Sequence, residues 1–122
     1  MTSPQINIKN LSNNSEKIAR KAVFSYFSKR KTTFQPVVNI TAADSRKMRV
    51  LNKKYRHKDN LPQVLSFPIW HNLKDIPKTK DKKNPPQILL GDIFILNKTL
   101  KTPILFQKLI DHSLNHLIGK HH

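Results

Sequence analysis

No cysteine occurs among the 122 residues, which excludes a disulfide framework and any thiolate metal site. A metal bound by this chain is therefore held by imidazole and oxygen. No apolar run approaches the ~20 residues needed to span a bilayer. The first residues, Met1-Thr2-Ser3-Pro4-Gln5, lack the charged-then-apolar layout of a signal peptide. A cytosolic protein without a membrane partner is the expectation. Apolar residues make up 37% of the chain, below the ~45–50% usual for soluble domains when glycine is counted. They are grouped into periodic runs, however, and a single core commonly serves ~100–150 residues. One domain over residues 1–122 is expected.

Acidic residues are also scarce, with 7 Asp and Glu against 23 Lys and Arg and a net charge of +16. A small chain with that imbalance attracts phosphate backbones and binds them in a salt-dependent way. Lysine outnumbers arginine, asparagine and isoleucine are plentiful, and only 2 glycines occur. An A·T-rich genome produces the same bias, so charge supports a nucleic-acid partner without proving one.

Gln5 to Leu11 alternates, with Ile6 and Ile8 on one face, and reads as a strand. Asn13, Asn14 and Ser15 are N-cap candidates for a helix carrying Ile18, Ala22, Val23, Tyr26 and Phe27, closed by Lys29-Arg30-Lys31. Pro36 to Ala42 is a second strand. Asp44 can cap a second helix with Met48, Leu51 and Tyr55 on one side. Val64 to Phe67, between Pro62 and Pro68, is a third strand. His71 to Gln87, with Pro77, Pro85 and Pro86, reads as an exposed loop. Ile88 to Leu96 is a strand interrupted at Gly91-Asp92. Pro103 to Ile118 is an amphipathic helix with Leu105, Leu109, Ile110, Leu114 and Leu117 apolar, ended by Gly119. The order β-α-β-α-β-β-α predicts an α+β fold, a single mixed sheet of about four strands covered by helices.

The chemistry concentrates at the C-terminal end. His112 and His116 stand four apart, so on a helix both rings project from one face. Zinc sites use that spacing to take two ligands from one helix. Gly119 lets the chain leave the helix and turn back, and a histidine beyond it, His121 or His122, can supply a third ligand. Three protein ligands leave the fourth tetrahedral position open, the mark of a catalytic rather than a structural zinc. A pair of ordinary surface histidines with a frayed end is the plainer reading, and Gly119 with a well-placed third histidine weighs against it. The same H-x3-H-x5-H spacing occurs in metzincin proteases, where a glutamate after the first histidine is the general base. Here that position is Ser113, which excludes that chemistry.

The run His112-Ser113-Leu114-Asn115-His116-Leu117-Ile118-Gly119-Lys120-His121-His122 resembles the H-G-x-L-H-L-L-G-x-D-H signature of the YbeY family. Three further segments agree in the same order. Leu51-Asn52-Lys53-Lys54-Tyr55-Arg56 with Lys58-Asp59 is similar to L-N-x-x-Y-R-x-K-D. Val64-Leu65-Ser66-Phe67-Pro68 is similar to V-L-S-F-P, and Leu90-Gly91-Asp92-Ile93 to L-G-D-I. The resemblance implies a zinc-dependent, single-strand-specific endoribonuclease that acts on ribosomal RNA at the small ribosomal subunit, in 16S 3′-end maturation. It makes His112, His116 and His122 the ligands of one zinc per chain, and Arg56 the functional arginine. A guanidinium suits that role, because it holds phosphate oxygens bidentately and stabilises developing negative charge. A solvated cation at a helix end is the plainer role for Arg56. Asp59, Ser66 and Asp92 are read as turn, strand and strand-bend residues, and Leu51 and Tyr55 as core.

The chain departs from the pattern at Pro62-Gln63, where the family has Thr-Asp, and at Ser113 and Asn115. It also departs at His121, where the family has an aspartate able to orient a ligand ring. Arg56 with three histidines favours a hydrolase. Pro62-Gln63 and His121 favour a catalytically weakened RNA- or ribosome-binding protein of the same fold. A basic domain merely stabilised by metal needs no groove at all.

Overall fold

The computed structural model describes residues 3–30, 32–77 and 83–119, the side chain of Leu73 excepted. The elements run β1 (Gln5–Lys9), α1 (Asn13–Ser28), β2 (Gln35–Ala43), α2 (Ser45–Arg56), β3 (Val64–Pro68), β4 (Gln87–Leu96) and α3 (Pro103–Leu117), with short 3-10 turns at Leu73–Asp75 and Asn97–Lys101. Four strands form one sheet in the order β1-β2-β4-β3. β1 and β4 flank β2 in parallel, and β3 is antiparallel to β4. The expected α+β architecture, one mixed sheet with helices over it, is the one observed. No helix among the described residues is long and apolar enough to cross a membrane.

Strand alternation divides the core. Ile6, Val38, Ile40, Ile93 and Ile95 face α1 and α3, where they meet Ala22, Val23, Phe27, Phe106, Ile110, Leu114 and Leu117. Ala43, Leu65 and Leu96 gather with Met48 of α2 in a second, smaller cluster. The first two helices start at side-chain caps, whereas α3 starts at Pro103 without one. Ser12, one residue before the expected candidates, accepts from the Ser15 N–H at 3.3 Å. Asp44 accepts from the Lys47 N–H at 2.8 Å. Such caps satisfy N–H groups that the helix itself cannot pair.

Two expectations need correction. Tyr55 is not core: it is 53% exposed in the last turn of α2, where its ring makes a T-shaped contact with Phe67. The loop after β3 is not wholly exposed either, since Ile76 is buried in the larger cluster. That apolar anchor lies between prolines and lysines that mask it in the sequence. Lys31 and positions 78–82, part of the expected helix end and loop, lie outside the described residues.

Both glycines serve the end of α3. In β4 the register slips between Val37 and Val38, so that Leu90 is an extra residue and Gly91 follows it at φ +152°. A Cβ at Gly91 would stand 2.7 Å from Leu117 Cδ2 and against the Phe67 carbonyl. The last turn of α3 thus rests on bare backbone. Gly119, at φ +83°, donates its N–H to the His116 carbonyl at 3.1 Å and lies against the His71-Asn72 backbone. Gly91→Ala is expected to lower stability by about 2–3 kcal/mol through overpacking and an unfavourable φ. Denaturant unfolding checks this, and an unchanged midpoint would show that α3 can move away freely.

Candidate active site

α3 and the α2–β3 connection meet across an open groove of about 290 Å³, lined by Asn52, Arg56, Lys58, Asn60, Pro62, Val64, Leu65, Ser66, His112 and His116. The helical period puts the two histidines on the same wall. Their Nε2 atoms lie 2.9 Å apart, and the rings are inclined at 77°. Two imidazoles on a tetrahedral zinc at ~2.0–2.1 Å hold their nitrogens about 3.3 Å apart. The pair is within a few tenths of an ångström of that bite, at hydrogen-bonding distance from each other. His116 is half-buried and His112 exposed. The fit covers two of the three expected ligands. His121 and His122 lie outside the described residues, and no group of three potential ligands occurs among the described ones.

Further lining comes from the end of α2 and the loop after it. His57 takes a left-handed conformation (φ 58°), and its N–H caps the Lys53 carbonyl at 3.2 Å. The chain then turns back along the helix, held by buried Asn52, whose Nδ2 donates to the Asn60 carbonyl at 2.9 Å and its Oδ1 at 3.3 Å. Asn52 and Asn60 have no role in the sequence reading. The signal was present, because Asn52 sits in the Leu51–Arg56 run. Its function is visible only once the loop is folded over it.

Arg56 reaches across to β3. Its Nη2 donates to the Ser66 carbonyl, and its guanidinium carbon stands 5.7 Å from the Phe67 ring centroid. One nitrogen of the fork is therefore tethered, which fixes the position of the group in the groove. Arg56 and the histidine pair line one cavity. No carboxylate lines it among the described residues, and its Arg56 and Lys58 are cations.

The other residues singled out from the sequence lie away from the groove or support it. Asp92 Oδ1 accepts from Asn39 Nδ2 at 2.8 Å, and Asn39 accepts from Asn7 at 2.9 Å, forming a polar ladder across the sheet. Asp59 is exposed. The Ser66 side chain is buried against the sheet. Ser113 is fully buried and its hydroxyl has no hydrogen-bond partner among the described residues, which costs stability. Asn115, polar where packing is expected, accepts from the Tyr26 hydroxyl at 2.6 Å. Beside it Asp111 faces a second cleft with Lys29 and Arg30. Burial raises the Asp111 pKa, and those two cations partly offset the shift.

The family model for Endoribonuclease YbeY matches residues 2–122. A protein named endoribonuclease YbeY from Agathobacter rectalis is 30% identical over 126 residues, spanning 88% of this chain and 75% of that relative. The protein of the same name from Buchnera aphidicola is 29% identical over 121 residues, spanning 89% and 70%. A solution structure of a Thermotoga maritima protein superposes with a TM-score of 0.52, covering 97% of this chain and 73% of that one at 16% identity, a likeness of fold alone. The order of four motifs along the second half of the chain and a match running over residues 2–122 lead to one placement: the chain belongs to the Endoribonuclease YbeY family.

Proposed function

We propose that this protein is a zinc-dependent endoribonuclease of single-stranded RNA, working in the cytoplasm on 16S ribosomal RNA 3′-end maturation at the small ribosomal subunit. One observation carries the reading: the Nε2 atoms of His112 and His116, 2.9 Å apart, share a groove with Arg56. His112, His116 and His122 hold one zinc per chain in this assignment. Zinc bound by them would supply Lewis-acid polarisation of a phosphoryl oxygen and activation of water. The chain's own groups do the rest. Arg56, fixed by its bond to Ser66, keeps further N–H donors for phosphate oxygens as negative charge develops on them. Lys58 adds a second cation at the entrance. Asn52 holds the loop that carries it, so the cationic wall stands ready before RNA arrives.

A weakened RNA-binding protein of the same fold is the second reading, favoured by the absence of carboxylates from the groove among its described lining residues. Single-turnover cleavage of a single-stranded RNA by zinc-loaded protein separates the two. Cleavage supports the enzyme, and tight binding without cleavage supports the weakened form. In either case association is electrostatic, because 23 cations face 7 acids. Raising salt from about 50 to about 200 mM is expected to weaken binding roughly 10³-fold if about six phosphates are neutralised. Affinity that barely responds to salt contradicts this.

A further inference from the structure

β3 is an edge strand, and the hydrogen-bond pattern shows which of its residues face outward. The Leu96 N–H donates to the Gln63 carbonyl at 2.9 Å, and the Ile69 N–H to the Leu90 carbonyl at 3.0 Å. Antiparallel ladders alternate between hydrogen-bonded and non-hydrogen-bonded pairs. With Leu65 opposite Phe94 and Phe67 opposite Asp92, positions 63, 65, 67 and 69 bond to β4. The backbone groups of Pro62, Val64, Ser66 and Pro68 point away from the sheet. Two of these four residues are prolines and carry no N–H. The outer edge therefore presents only two donors, the N–H groups of Val64 and Ser66, and both residues line the groove beside His112 and His116.

We propose that this edge is a phosphate-backbone subsite, in which the N–H groups of Val64 and Ser66 hold successive phosphates of an extended single-stranded oligonucleotide. Residues two apart on a strand stand about 6.8 Å apart, the scale of one nucleotide step along a phosphate backbone. The acceptor side of the edge is already diminished, because Arg56 occupies the Ser66 carbonyl. Three outward carbonyls remain, those of Pro62, Val64 and Pro68, but the two N–H donors share the groove with Arg56 and Lys58, with no carboxylate among the described lining residues. An anion fits that surface. A peptide strand added to the edge requires alternating donors and acceptors over several residues, and Pro62 and Pro68 cut the donor row at both ends. The subsite deepens the hydrolase reading, on which it rests, since it lays the strand in the groove that the histidine pair lines.

The test is made on the full chain with a short oligouridylate. In ¹⁵N-resolved spectra, the Val64 and Ser66 amides are expected to shift on titration. Val64→Pro removes one outward N–H without touching the ladder, while Val64→Ala keeps it. The proline variant is expected to bind about 10-fold more weakly than the alanine variant, the scale of a lost hydrogen bond to a charged group. That gap should close for an oligonucleotide with neutral methylphosphonate linkages. Amides that stay silent in the unmodified protein overturn the subsite even if Val64→Pro fails to fold. Equal affinity of two folded variants overturns it too, as does a shift produced by an extended peptide but not by the oligonucleotide. Shifts in a protein that cleaves no RNA leave the subsite standing and remove the hydrolase reading. Cleavage with silent amides does the reverse.

Discussion

His116→Ala is expected to abolish stoichiometric zinc binding and to lower RNA cleavage by at least about 10³-fold, since the metal contributes several kcal/mol of charge stabilisation and each ~1.4 kcal/mol is tenfold in rate. The expectation follows from geometry. His112 and His116 converge at 2.9 Å between Nε2 atoms, close to the bite of a tetrahedral ion, and a single remaining helical imidazole loses that chelation. His116 is half-buried between the exposed His112 and the end of the helix, so its ring is already held in place. His112→Ala should behave alike. Elemental analysis of protein purified without a tag gives the answer directly. Unchanged zinc after His116→Ala would defeat the assignment, whatever the effect on rate. His122→Ala should matter far more than His121→Ala, and the opposite order would transfer the third ligand to His121.

Arg56→Ala should cost about 10²-fold or more in cleavage rate, as loss of a charge-stabilising donor does, while RNA affinity falls only slightly. One cation among 23 supplies a small share of counterion release. Arg56 also ties the end of α2 to β3 through the Ser66 carbonyl. Its loss therefore requires a stability control, and a drop in unfolding midpoint much larger than that of a typical surface change would assign the effect to structure. Arg56→Lys is expected to be poor as well. An ammonium keeps the charge but cannot bond Ser66 and a phosphate oxygen with one planar fork. Single-turnover cleavage and affinity measured on the same preparations decide the matter. Equal losses in both would make Arg56 a binding residue.

Much of the molecule was legible from neighbouring residues. Apolar spacing in Ile18–Phe27 and Leu105–Leu117 located two helices, alternation in Ile6–Ile8 located a strand, and Asp44 marked a helix start. A spacing of four from His112 to His116 on a helix dictates a shared face, and both rings lie there. These features are local: helical and strand periods are set by backbone geometry over a few residues.

What the sequence left open depends on pairings between distant segments. Tyr55 continues the Met48–Leu51 stripe, yet it is 53% exposed and stays outside the cluster that Met48 joins. Asn52 gains its role from Asn60, eight residues on, once His57 turns the chain back. The extra residue at Leu90, and the need for glycine at position 91, appear only when Leu117 packs onto that bulge. The parity of β3 is equally silent in Val64-Leu65-Ser66-Phe67, because a one-residue slip against β4 would exchange its two edges. Composition and spacing thus determined the elements, the cationic character and the histidine pair. Only the tertiary structure decided which backbone groups, and which of the many cations, face that pair, because register and burial are settled by contacts between residues far apart in the chain.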